Sequence, residues 1–171
     1  MALLRIGLGS MKTSKLQIII ITIIFPAGLL YGYLHERNLS FSDIFLPGTP
    51  VLHIAEIPVR VEIAETEAER VRGLSDRESL GNVDGLLFIF PEASRHAIWM
   101  KDMRFPIDII WVSQDLKVVS INENATPNSY PAVFRPTEDA RYAIETNVHF
   151  ADTFGIKVGQ SVRLPAAYIN Q

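Results

Sequence analysis

The chain has 171 residues, no cysteine and a formal net charge of −3. Its length suits one globular domain plus an appendage, and 48% hydrophobic against 20% charged residues supplies a core and excludes a disordered chain. The missing cysteine removes disulfides, thiolate metal sites and a cysteine nucleophile, while a pI of about 5.8 offers no basic face for nucleic acid.

Residues 1–15 carry Arg5, Lys12 and Lys15 and are expected to lie in the cytoplasm. Leu16 to Leu34 then runs without a charge. As a helix it spans about 28 Å, close to the hydrocarbon thickness of a bilayer. Pro26 and Gly28 are tolerated in such a span. Only Arg37 follows closely, so the charge bias places the rest of the chain outside. A retained transmembrane anchor is therefore predicted. A cleaved signal segment is the alternative, with Met11 as a second possible start. The run exceeds the usual apolar length of a signal and has no well-placed small-x-small site. Residues 35–50, with Pro47, Gly48 and Pro50, read as a linker.

Residues 51–171 read as a small, mainly β domain. Val51 to Ile63 is rich in β-branched residues, and Val59, Val61 and Ile63 alternate with Arg60 and Glu62, the pattern of a half-buried strand. Thr66 and Glu69 form a capping box, and Gly73 is a natural stop, so a helix of about two turns is predicted over Thr66 to Arg72. Leu86 to Phe90 is wholly apolar, a strand covered on both faces. Pro91 to Arg95 turns the chain and His96 to Met100 returns, with Trp99 and Lys101 on one face and Ile98 and Met100 on the other. After the polar joint at residues 101–104, Ile107 to Val112 and Leu116 to Ile121 make a hairpin. Asn122 to Pro136 reads as a long loop. Arg141 to Thr146 is a strand, Phe150 to Phe154 one helical turn, and Ser161 to Leu164 the last strand. About seven short strands with one or two short helices predict a barrel or sandwich.

The segment from about Val59 to Leu164 resembles the uncharacterised DUF192 family, also called UPF0127. The matching pieces are Arg70 with Arg72-Gly73-Leu74, Arg77, Gly85-Leu86-Leu87-Phe88-Ile89-Phe90, Trp99-Met100-Lys101-Asp102, Pro106-Ile107-Asp108-Ile109, Ile144-Glu145 and Gly155-Ile156-Lys157-Val158-Gly159. The resemblance implies a small β-rich domain, often exported or membrane-tethered, and carries no established activity. This chain departs from the pattern at Ser75, where Met is usual, and at Asp102-Met103, where Asn-Thr is usual. It also has His149 where Gly is common and Gln160 where Asp is common.

Chemistry, if any, centres on Trp99, Lys101 and Asp108. Asp108 is a lone carboxylate in an apolar strand and must be hydrogen-bonded, paired or open to water. An aromatic platform, a cation and a carboxylate could together orient a polar ligand. The alternative is a core indole, a lysine lying along it, and a carboxylate capping a loop or pairing with arginine. Arg72 and Arg77 could clamp an anion or hold Asp108 or Glu145. Glu145, His149 and Asp152 have a spacing compatible with a divalent ion, but such spacing arises by chance and no metal or cofactor is assigned. Ligand-binding residues are thus expected at Arg77, Trp99, Lys101, Asp108 and Glu145.

No motif names a reaction. The expected role is a membrane-tethered extracytoplasmic domain that binds a small polar ligand or an envelope protein. One alternative is an envelope-directed hydrolase with Asp108 or Glu145 as acid–base group, which requires the two carboxylates to flank one groove. The other is a structural interaction module, which an exposed apolar patch near residues 122–136 would favour.

Overall fold

A computed structural model describes residues 48–81 and 83–168. The apolar run at 16–34 and most of the linker lie outside these residues. No helix among the described residues is long and apolar enough to cross a membrane.

Strand β1 (Val51–Ile54) turns through Ala55 and Glu56 into β2 (Ile57–Ala64). The β-branched stretch is therefore a hairpin where one strand was expected. Its turn is hidden from composition because Ala55, not glycine or asparagine, takes the positive φ of 51°. Helix α1 (Glu67–Arg72) forms as its caps dictate: the Thr66 hydroxyl accepts the Glu69 N–H, and the Glu69 carboxylate accepts the Thr66 N–H at 2.8 Å. This helix is the crossover that lets β3 (Gly85–Ser94) lie parallel to β2. Strand β3 runs on past Phe90, and Pro91 falls where its pairing is interrupted by a bulge between Ile89 and Ser94.

The return after β3 forms no hairpin with it. Only β4 (Ile98–Trp99) is extended, and it pairs with β7 (Val133–Phe134). Strands β5 (Ile107–Val112) and β6 (Val118–Ala125) make the expected hairpin. The stretch from Asn122 to Pro136 is not one loop: it holds the end of β6, a single 3-10 turn at Pro127–Ser129, and β7. Strand β8 (Ala140–Asn147), helix α2 (Phe150–Phe154) and β9 (Val162–Arg163) complete the order.

Seven strands form one sheet in the order β6-β5-β8-β3-β2-β1-β9. The sheet curls until its edges meet. Val118 N–H donates to the Gln160 carbonyl at 2.9 Å, Gly159 N–H to Val118 at 2.8 Å, and Val162 N–H to Leu116 at 2.8 Å. The fold is thus mainly β and barrel-like, with closure removing part of the exposed edge. All seven strands send residues to the inner core, among them Leu52, Val61, Leu87, Ile110, Val118, Ile144 and Val162. A second core lies on the outer face, where Leu86, Phe88, Ile109, Trp111 and Ala143 pack under Leu74, Leu80, Ile98, Met100 and Met103. A strand covered on both faces explains why Leu86 to Phe90 of β3 reads as an unbroken apolar run and why β5 is apolar but for Asp108.

Candidate functional site

Residues directly opposite in a ladder point to the same face, so register decides where each carboxylate goes. Glu145 lies between Leu86 of β3 and Ile109 of β5, both outer-face residues. Asp108 lies opposite Thr146, one residue out of step, and points to the inner face. The two carboxylates therefore do not flank one groove.

Asp108 is fully buried and has two partners. Its Oδ1 accepts the Asn124 N–H at 2.9 Å, and its Oδ2 accepts the Ala151 N–H at 3.0 Å. Asn124 sits in a bulge of β6 with φ of 54°, and Ala151 lies in the first turn of α2. The carboxylate ties a bulge to a helix start, away from Trp99 and Lys101. The expected convergence of Asp108 with those two side chains does not occur.

Glu145 is different. It is only 4% exposed, and its Oε2 has no hydrogen-bond partner among the described residues. Burial pushes its carboxyl up to about 8, against the opposing pull of the Arg77 guanidinium. Arg77 itself is ion-paired to Glu62 at 2.7 Å. Below about pH 8 the Glu145 carboxyl thus holds its proton and can both donate and accept a hydrogen bond.

Glu145 lines a cavity of about 180 Å³. The apolar wall comes from Leu74, Phe88, Phe90, Ile98 and Met103, while Arg70, Arg72 and Ser75 lie on the side of α1 and the turn after it. Helix α1 buries none of its residues. It is fixed by its caps and by Arg70, whose Nη1 donates to the Ile89 carbonyl at 2.9 Å and to the Glu65 carbonyl. Gly73 ends the helix at φ 49°, and a Cβ there would come within 3.3 Å of the Phe88 ring. The turn that follows is pinned to the polar joint: the Ser75 hydroxyl donates to the Lys101 carbonyl at 2.9 Å, and Asp76 N–H to Asp102 at 2.8 Å. Arg104 bridges the same two segments through Glu78 and Asp76. Gly85 sets the spacing of β3 and β8 beside Glu145. A Cβ at this position would stand 2.5 Å from the Glu145 carbonyl oxygen, so only glycine lets β3 approach β8 so closely.

Trp99 also lines the cavity and is 45% exposed. The alternation along β4 buries Ile98 and turns the indole outward. The ring meets Tyr130 edge-on at 6.4 Å, and the Lys101 ammonium lies 5.9 Å from its centre. Lys101 is a neighbour of the mouth and does not line the cavity. Of the five expected residues, the cavity brings together Glu145 and Trp99, with Arg77 acting on Glu145 through its charge and Asp108 on the other face. Arg72, weighed above as an anion clamp, lines it, and so do Gly73, Phe88, Phe90 and Met103, which were not singled out as ligand contacts although the first three of these lie inside recognised motif pieces.

Among the described residues no three acidic or imidazole side chains gather to hold a metal ion. Glu145, His149 and Asp152 do not form the set their spacing allowed. A shallower depression of about 430 Å³ is lined by Ile57, Asp84, His149 and Phe154. Its carboxylate is committed, because Arg60 holds Asp84 at 2.8 Å.

The family model described as an uncharacterized ACR, DUF192, matches residues 51–164. The chain belongs to the DUF192 family. The DUF192 match takes in every strand of the sheet and every residue named around the cavity. The DUF192 domain is similar to a crystal structure from Sinorhizobium meliloti, described as a candidate transcription regulator, at 28% identity and a TM-score of 0.61, covering 67% of this chain and 91% of that one. It is similar also to one from Novosphingobium aromaticivorans, a protein of unknown function, at 30% identity and a TM-score of 0.62, covering 69% and 88%. Among functionally curated proteins none matches.

Proposed function

We propose that this chain is a membrane-tethered extracytoplasmic receptor domain that takes a small ligand in the cavity between α1 and the outer face of the sheet. The observation that carries the reading is Glu145: a buried carboxyl oxygen without a partner is costly, and a ligand group would supply the missing bond. The cavity is mostly apolar, with Glu145 and a few polar side chains of α1 and the turn after it, the composition of a small-molecule site, and its volume suits a fragment-sized ligand. The tether rests on the charge-free run at 16–34 and its basic flank.

A hydrolase using Asp108 and Glu145 together finds no support, since they face opposite sides of the sheet. Transcription regulation, the description attached to the Sinorhizobium structure, finds none either. The two described helices have six and five residues, too short to present a reading surface to the major groove. A role in docking an envelope protein has one observation in its favour: Trp99, Tyr130 and Val133 lie exposed around the β4–β7 pair.

The ligand reading is tested on the full chain with a panel of small aliphatic acids, amides, alcohols and amines, followed through the two indole N–H signals. Trp99 at the mouth is expected to shift, with fully buried Trp111, bonded to Asn122 at 2.7 Å, as the unresponsive control. A panel that leaves Trp99 unmoved sinks the ligand reading. The tether is tested separately. The chain has no cysteine, so Lys157→Cys introduces a single thiol. It should react with an impermeant maleimide in intact cells, and protection there counts against an outside location.

A further inference from the structure

The surroundings of Glu145 discriminate between ligand chemistries. Its ladder neighbours, Leu86 and Ile109, are apolar. From β2 comes Glu62 and from the turn after α1 comes Arg77, and these neutralise each other. From α1 come Glu67, Arg70 and Arg72. Arg70 is committed to two backbone carbonyls. The ion pairs among the described residues engage Arg60, Arg77 and Arg104, and Arg72 is in none of them. Strand β4 contributes no charge, and Lys101 beyond it sits against Trp99. The cavity thus carries two guanidinium groups, Arg70 and Arg72, against one further acid, Glu67, and the Arg77–Glu62 pair lies beside Glu145.

Resting on the ligand reading above, we infer that the cavity takes a small acyl compound, a carboxylate or carboxamide with an apolar body, whose oxygen accepts a hydrogen bond from the Glu145 carboxyl. An ammonium group is the opposite case. It would need an ionised carboxylate, and the two arginines of the lining outnumber its one further acid, Glu67. A carboxyl that keeps its proton offers an O–H donor, and the acyl oxygen completes it. The phenylalanine, leucine and methionine walls then cover the aliphatic body. Arg72 favours the anionic member of the class over the neutral one.

The test is a titration of the full chain with isovalerate, isovaleramide and isoamylamine at about pH 6.5 and about pH 9.5, read by the Trp99 indole N–H. Isovalerate and isovaleramide are expected to bind at the lower pH and to weaken roughly 30-fold at the higher, as Glu145 loses its proton. Glu145→Gln, which keeps an N–H donor, should retain binding of the amide and abolish its pH dependence. A merely structural carboxyl would not produce that pattern. Arg72→Gln should weaken isovalerate more than isovaleramide. Binding of isoamylamine that strengthens at high pH overturns the acyl assignment and leaves the ligand site standing, as does acyl binding that ignores pH in the unaltered protein. Failure of all three probes removes both.

Discussion

Asp108 Oδ2 accepts the amide N–H of Ala151 at 3.0 Å, joining the middle of the sheet to the first turn of α2. The other oxygen serves Asn124 at 2.9 Å, so one carboxylate satisfies two backbone donors that a bulge and a helix start leave over. A carboxyl group is tolerated at zero exposure because both its oxygens are occupied.

Truncation at this position should therefore damage the fold. Asp108→Ala strands two N–H groups, each worth about 1–3 kcal/mol when left unpaired, and a loss of about 3 kcal/mol or more is expected in urea unfolding. Asp108→Asn should recover little, since its amide presents a donor toward a donor. A change below about 1 kcal/mol would show that these bonds do not carry the strand–helix junction.

Glu145 gives a pH signature of the opposite kind to an ordinary salt-bridged acid. Burial raises its folded value from 4.5 to about 8, so between those limits the folded chain holds a proton that the unfolded chain has released. Its contribution is fully present below the unfolded value and is lost as pH rises through the folded one, at up to about 1.4 kcal/mol per pH unit. His53 works against this near neutrality, its value lowered by burial and then by Arg163. The difference between the parent and Glu145→Gln isolates the glutamate. Denaturation midpoints for the two should diverge steadily from about pH 5 to about pH 8, the variant falling less. Parallel curves would mean that the carboxyl ionises freely.

His149 occupies a position for which glycine is the better residue. It precedes α2 with φ of 67° and ψ of 10°, and its side chain makes no capping bond. The side chain is exposed, so it gains little in exchange for a left-handed backbone. His149→Gly should stabilise the fold by about 1 kcal/mol, read as a higher thermal midpoint. A destabilised variant would point to a contact of the imidazole that outweighs the strain.

Elements whose causes are local could be read directly from the residues. The capping box at Thr66 and Glu69 needed only four residues, and α1 formed where they placed it. The apolar run at 86–90 announced a strand buried on both faces, the run at 107–112 announced one arm of a hairpin, and the ordered motif pieces announced the family. Where the cause lay in another part of the chain, the sequence was silent. The return at Ile98–Trp99 found its partner at Val133–Phe134, inside a stretch with no periodicity of its own, because two residues carry no period. Asp108 and Glu145 looked alike as isolated acids in apolar strands. The antiparallel register of β5 and β8 separated them, one residue of offset sending Asp108 inward to two waiting amides and Glu145 outward into a cavity with none. Side-chain direction follows from the register of pairing, and only the closed sheet fixes that register.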